Sequence, residues 1–327
     1  MSVARPAVLS RWLPAGWRHQ YRLRRSTTHG AQRQIGAQTA WVAAGAASAG
    51  AAACAVVLTL DQRAPCRAEP GSRPSAGPTA GSLAAAEQFI EHVYRGVDPS
   101  RGPALSAEEE DAVDESGGSH IYGEITVPGV HTLIHWLLQR SASAPAASPR
   151  RLPEDGWAFA DLGSGVGRMC IHVAYMGSVW GCVRSVGIEL SHTRHMVAVE
   201  AAERAQAAGA LQDACLLQVL EGDIMKEPLD GLTVVYVASL LFDDEMLDKL
   251  ADRLETAHGV QWVATLRRLD PERLNTLQLD ASIMVPMSWD EDAEVFLYCR
   301  DRRAQLQDYA SVSGMTAEEA DTRAYFA

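Results

Sequence analysis

The sequence predicts an α/β fold: a mostly parallel, doubly wound sheet ending in an antiparallel hairpin, with a short helical lobe ahead of it. Three observations carry that expectation. From Trp157 onward, apolar runs of strand length alternate with helical periodicity. The first run closes on a glycine loop, Gly163-Ser164-Gly165-Val166-Gly167, which opens a helix at Arg168. The last two runs, 283–286 and 294–299, have no long helix between them, as a hairpin requires. A chain of 327 residues holds one such domain with room for further segments.

The elements follow in order. Residues 1–60 form a basic leader with seven arginines (Arg5, Arg11, Arg18, Arg22, Arg24, Arg25, Arg33) and no Lys, Asp or Glu. Within it, residues 34–60 are uncharged and mainly Ala and Gly. That stretch exceeds the roughly 20 residues a bilayer span needs, but few of its side chains are strongly apolar. A membrane anchor, a mitochondrial transit peptide and low-complexity chain stay open as readings. Residues 61–82, dense in Pro, Gly, Ser and Ala, read as a linker.

Residues 83–152 read as the helical lobe. Residues 84–96 put Phe89, Ile90 and Val93 on one side of an amphipathic helix, and the acidic run from Glu108 to Asp111 reads as a solvated loop or helix face. From Gly129 to Leu138, Val130, Leu133, Ile134 and Leu137 recur at i, i+3, i+4, i+7, with Pro128 suited to the first turn. A Ser-Ala-Pro loop over 141–153 precedes the main domain, 153–302. Its strands are expected at 157–161, 185–189, 215–220, 233–238, 261–266, 283–286 and 294–299. Residues 303–327 form an acidic-leaning tail.

The net charge of −12 is uneven, because the leader's seven arginines leave −19 on the remainder. A body that acidic repels nucleic-acid phosphates and attracts basic partners, so any nucleic-acid contact is expected through the leader. The six cysteines include no C-x-x-C pair, so reduced, mostly buried thiols are expected and no metal site.

The loop's spacing selects among ligands. A dinucleotide fingerprint, G-x-G-x-x-G, needs a small residue where this chain has Arg168; here the pattern is G-x-G-x-G, with Asp161 two residues before the first glycine. Asp161 is badly placed for a pyrophosphate and well placed for a cationic amino-acid moiety. Glu189, ending the second strand, can accept from both hydroxyls of a ribose, and Asp223, after the third, from an adenine amine with Ile224 against the ring. Together these residues point to S-adenosylmethionine. An NAD oxidoreductase is disfavoured by Arg168.

Beyond that, the chain resembles the disruptor-of-telomeric-silencing (DOT-type, non-SET) histone H3 lysine methyltransferases over roughly residues 89–302. The resemblance is carried by Val93-Tyr94, Ile121-Tyr122-Gly123-Glu124, the loop from Asp161 to Gly167, Val186-Gly187-Ile188-Glu189, Gly222-Asp223 and Ser288-Trp289. It implies the class I S-adenosylmethionine-dependent methyltransferase fold, a histone H3 or nucleosome substrate and a nuclear location. It further implies that Tyr122 caps the methionine end of the cofactor, that Glu124 orders the cap, and that Thr126 supplies a hydroxyl to it. Ser239 would act where the family has the second Asn of an Asn-Asn-Phe-x-Phe segment. Phe242 would wall the lysine channel with Tyr122 and with Phe296 or Tyr298. No general base is evident, and His172, His192 and His195 read as packing or helix-surface residues. Two alternatives accompany this reading: a mitochondrial or membrane-associated protein-lysine methyltransferase with another target, and a non-catalytic module that keeps the fold as a scaffold.

Overall fold

The computed structural model describes residues 55–57, 80–98, 101–145, 148, 150–211 and 215–301. The expectations for the leader apart from 55–57, for most of the linker and for the tail lie outside the described residues. Strands are β1 (Ala55–Val57), β2 (Trp157–Leu162), β3 (Cys182–Glu189), β4 (Leu216–Glu221), β5 (Val234–Val237), β6 (Trp262–Thr265), β7 (Leu277–Val285) and β8 (Ala293–Arg300). Helices are α1 (Ala80–Val93), α2 (Ala107–Glu115), α3 (Val127–Ala142), α4 (Arg168–Tyr175), α5 (Gly177–Trp180), α6 (His192–Ala207) and α7 (Asp244–Thr256).

One sheet runs β1-β4-β3-β2-β5-β6-β8-β7. The pairs from β4 across to β6 are parallel, while β8 is antiparallel to both β6 and β7 and β1 is antiparallel to β4. The doubly wound sheet and its terminal hairpin are thus as expected. β8 enters between β6 and β7, and β7 begins six residues before the expected strand, at Leu277. Chain order reverses at β2, which has β3 on one side and β5 on the other, so a crevice opens at the carboxyl ends of these strands.

Strand residues alternate between two apolar cores, one on each face, as a period of two demands. Phe159, Val234, Tyr236, Trp262 and Ala264 pack into one core with the faces of α1, α3, α4 and α6. Ala160, Val235, Val237 and Val263 pack into the other against Leu247, Leu250 and Leu254 of α7. The α3 stripe is buried as its spacing predicts, and Thr126 caps the helix by accepting from the Gly129 amide at 3.1 Å. The four described cysteines, Cys170, Cys182, Cys215 and Cys299, are free and buried.

Two polar arrangements were not legible in the sequence. Arg300, at the end of β8 and 2% exposed, donates to the carbonyls of Leu254, Glu255, Ala257 and Val260 at 2.7–3.1 Å. A cation there satisfies the orphan carbonyls at the end of α7 and complements that helix's dipole. The second is a cluster of three histidines: His131 lies with its ring 5.1 Å from His172 and 5.9 Å from His135, all beside Trp180.

Burial pushes His131 down to about 4 and His172 down to about 3, and lowers His135 as well. The folded state therefore prefers these rings neutral. Their contribution to stability is complete above the unfolded histidine value of about 6.5 and is lost as pH falls through 6 toward 4. Between pH 7.5 and 5 the urea midpoint of the wild type is expected to fall progressively relative to that of His172→Phe. A parallel decline in the two proteins would place the acid sensitivity elsewhere.

Candidate functional site

A cleft of about 990 Å³, counted with its open mouth, lies at the carboxyl ends of β2, β3 and β5. Its floor is the loop after β2, where Gly163, Gly165 and Gly167 all have positive φ (81°, 57° and 78°), the region only glycine enters freely. A Cβ on Gly163 would meet nothing within 4 Å, so a side chain there would project into open space. One on Gly165 would come within 2.9 Å of the Tyr122 ring, so that glycine lets the upstream segment lie directly on the loop.

Glu189 is 5% exposed and held by two backbone amides: Gly165 donates to Oε2 at 2.8 Å and Ser191 to Oε1 at 2.9 Å. This fixes the carboxylate against the loop and orients its remaining lone pairs. Asp223 closes a turn by accepting from the Met225 amide at 2.8 Å and pairs with Lys226 at 2.9 Å. These hydrogen bonds and the Lys226 charge hold it below the usual carboxylate range despite partial burial. Ile224 is buried beside it and lines the cleft.

The segment from Ile121 to Thr126 is strapped over the loop by the far end of the sheet. Ser288 donates its amide to the Glu124 carbonyl at 2.8 Å, the Glu124 amide donates to the Ser288 hydroxyl at 3.0 Å, and Ile125 bridges Met287. Beneath the strap, Tyr122 donates its hydroxyl to Glu124, and Glu124 accepts from Arg168 Nε. The Arg168 guanidinium lies 4.1 Å above the Tyr94 ring, and Tyr94 donates to the Val166 carbonyl at 2.9 Å. The Arg194 guanidinium lies over the Tyr122 ring, 5.1 Å from its centre. Burial outweighs Arg168 and raises the Glu124 pKa.

α2 is anchored to the same end of the molecule. Glu109 forms a capping box with Ser106 and also accepts from the Thr193 amide and hydroxyl, both at 2.8 Å, and from the Ser191 hydroxyl at 3.0 Å. These bonds pull its pKa down to about 2. One member of the acidic run is therefore a brace between α2 and the start of α6, not a solvated charge.

Three expectations change. Ser239 is fully buried in a short 3-10 turn, Ser239–Leu241, and its hydroxyl accepts from the Arg267 amide at 3.1 Å; Ala238 lines the cleft instead. Thr126 is away from the cleft, its hydroxyl donating to the Pro286 carbonyl at 2.9 Å while capping α3. Phe296 and Tyr298 pack with the second core, and the Tyr298 hydroxyl accepts from the Leu269 amide at 2.8 Å, so neither walls the cleft. Tyr122, Glu124, Asp161, Gly163, Ser164, Gly165, Glu189, Asp223, Ile224 and Phe242 all line it. Gly167 stands just behind, at the N-cap of α4. His172 and His195 are packing residues, and His192 lies outside against Glu221 at 2.8 Å.

Asp161 is 4% exposed, and burial with Glu189 and Glu124 nearby pushes it up to about 8. Its folded pKa is raised, so its stabilising contribution is complete below about pH 4 and is lost as pH climbs toward 8. Without ligand, Asp161→Asn is expected to gain in melting temperature over the wild type steadily from pH 5 to 8. A difference that does not change with pH would show that Asp161 is already ionised in the folded protein.

Residues 150–292 match the family model described as "Histone methylation protein DOT1". No curated protein matches the chain. Solved structures with a similar arrangement include an RNA methyltransferase from Salinibacter ruber in complex with S-adenosyl-L-homocysteine, 20% identical, covering 52% of this chain and 90% of its own at a TM-score of 0.34. Others are the rRNA methyltransferase aviRa from Streptomyces viridochromogenes (13% identical, 52% and 84% covered, TM-score 0.34) and a dimethyladenosine transferase from Plasmodium falciparum (10%, 54% and 63%, 0.35). The family match and the sheet order make this an S-adenosylmethionine-dependent methyltransferase domain, and S-adenosylmethionine is its cofactor. Among the described residues no group of three or more His, Cys, Asp or Glu is arranged to hold a metal ion, and no helix is long and apolar enough to cross a membrane.

Proposed function

We propose that the chain, DOT-type over residues 150–292, is a protein-lysine N-methyltransferase acting on a lysine of histone H3 in the nucleus. The observation that carries this reading is the strapped segment: Tyr122 sits on the glycine loop and bonds Glu124, which Arg168 holds in turn, so the cleft is roofed by residues that carry the sequence resemblance upstream of the matched region. In this reading Glu189 seats the ribose hydroxyls, Asp223 and Ile224 the adenine, and Asp161 the ammonium end. The cofactor supplies a methyl group on a positive sulfur.

The protein's own task is to bring a neutral amine in line with that methyl. Deprotonating a lysine of ordinary pKa costs roughly 4–5 kcal/mol at pH 7. Phe242, Met246 and Ala238 line the side of the cleft beyond β5 and would strip water from the ammonium, lowering its pKa. The −19 carried outside the leader favours a basic substrate such as a histone over bare nucleic acid.

Labelled methyl transfer tests it. The full chain is expected to label histone H3 in nucleosomes or free histones, at a lysine identified by mass spectrometry. Labelling confined to non-histone proteins, or to RNA, would overturn the substrate while leaving the methyltransferase assignment standing.

A further inference from the structure

Tyr236 lines the cleft and is 2% exposed, and its buried hydroxyl has no hydrogen-bond partner among the described residues. An unpaired buried hydroxyl is a standing cost that phenylalanine would avoid in the same space. On the lining of a cleft, such a group is placed to be satisfied by whatever binds there.

Its place on β5 says which partner. Tyr236 is the register neighbour of Asp161 on the parallel strand β2, so the two side chains leave the same face of the sheet. Asp161, 4% exposed, also has no side-chain hydrogen bond within the described protein. The two therefore stand side by side on the floor of the cleft, one an uncompensated acid and the other a group that both donates and accepts. Ala238 and Phe242 lie further along the chain, toward where β5 has ended and a substrate would enter.

We propose that Tyr236 and Asp161 together seat the α-ammonium group of the cofactor, the hydroxyl accepting one ammonium N–H and donating its proton to the Asp161 carboxylate. This rests on the cleft being the S-adenosylmethionine site. A phenol there satisfies its own oxygen, holds the acid ionised and adds a third contact to a cation that the carboxylate alone cannot surround. It makes Tyr236 a specificity residue for ligands that keep the amino-acid end.

Calorimetric titration of the full chain with S-adenosylhomocysteine and with 5′-methylthioadenosine, which lacks the amino acid, separates the possibilities. Tyr236→Phe is expected to weaken S-adenosylhomocysteine by roughly tenfold or more, the size of one lost hydrogen bond to a charged group, and to leave methylthioadenosine unchanged. The ligand-free variant should melt at or above the wild-type temperature. In an Asp161→Asn background, the same change should cost markedly less. Equal losses for both nucleosides, undiminished S-adenosylhomocysteine affinity, or a lower melting temperature without ligand would each overturn the proposal. If the wild type binds neither nucleoside, the reading of the cleft fails first and takes this one with it.

Discussion

Replacing Glu189 with alanine is expected to weaken S-adenosylmethionine binding by about two to three orders of magnitude. Two hydrogen bonds from ribose hydroxyls to a buried carboxylate are together worth roughly 3–4 kcal/mol, which is that factor in affinity. The substitution also orphans the Gly165 and Ser191 amides, so the glycine loop loses the anchor that sets its height above the sheet. Glu189→Gln keeps one acceptor and should lose less. Titration calorimetry reads both, and an alanine variant within threefold of the wild type would mean the ribose is held elsewhere.

Removing the cation beneath the strap should have the largest effect on stability. In Arg168→Met, Glu124 is left as a buried carboxylate, its side chain only 9% exposed, without the partner that offsets its desolvation. Breaking one side of such a pair typically costs about 3–5 kcal/mol. The urea midpoint should drop accordingly, and amide exchange over residues 121–126 should quicken more than over β2. Adding Glu124→Gln, which removes the stranded charge, is expected to recover much of the loss. If the double variant is no better than Arg168→Met, the cost lies in lost stacking on Tyr94 and not in the ion pair.

What could be read ahead of the structure follows from periodicity and from strand ends. Alternating strands and helices exposed the sheet, and residues at or just past strand ends, Asp161, Glu189 and Asp223, converge wherever parallel strands end together. What could not be read depends on contacts between distant segments or on a shift of phase. Arg168 is evident in the sequence only as a residue that spoils a dinucleotide fingerprint; its hold on Glu124 spans 44 positions. Ser239 lies off the cleft lining because the chain leaves β5 through a 3-10 turn that buries residue 239, while Ala238 lines the cleft. Thr126 has the composition of a ligand-binding hydroxyl and the position of a helix cap, and the cap takes it. Tyr236 hides in Val234-Val235-Tyr236-Val237, a run that reads as plain core, because one polar atom does not disturb an apolar pattern.

The insertion of β8 between β6 and β7 has a consequence in time. A ribosome delivers β6 and then β7 before the strand that separates them exists, so the two cannot take their final places until Arg300 has emerged. Until then β6 presents a bare row of amides and carbonyls, and the carbonyls at the end of α7 wait for the guanidinium that will gather them. Pairing as distant as Trp262 with Cys299 is slow to nucleate, so closure of the sheet should be the late step of refolding. Pulse-labelled exchange would then show β2, β3 and β5 protected before β6, and a nascent chain halted short of residue 293 would hold its cofactor loop beside an unfinished sheet.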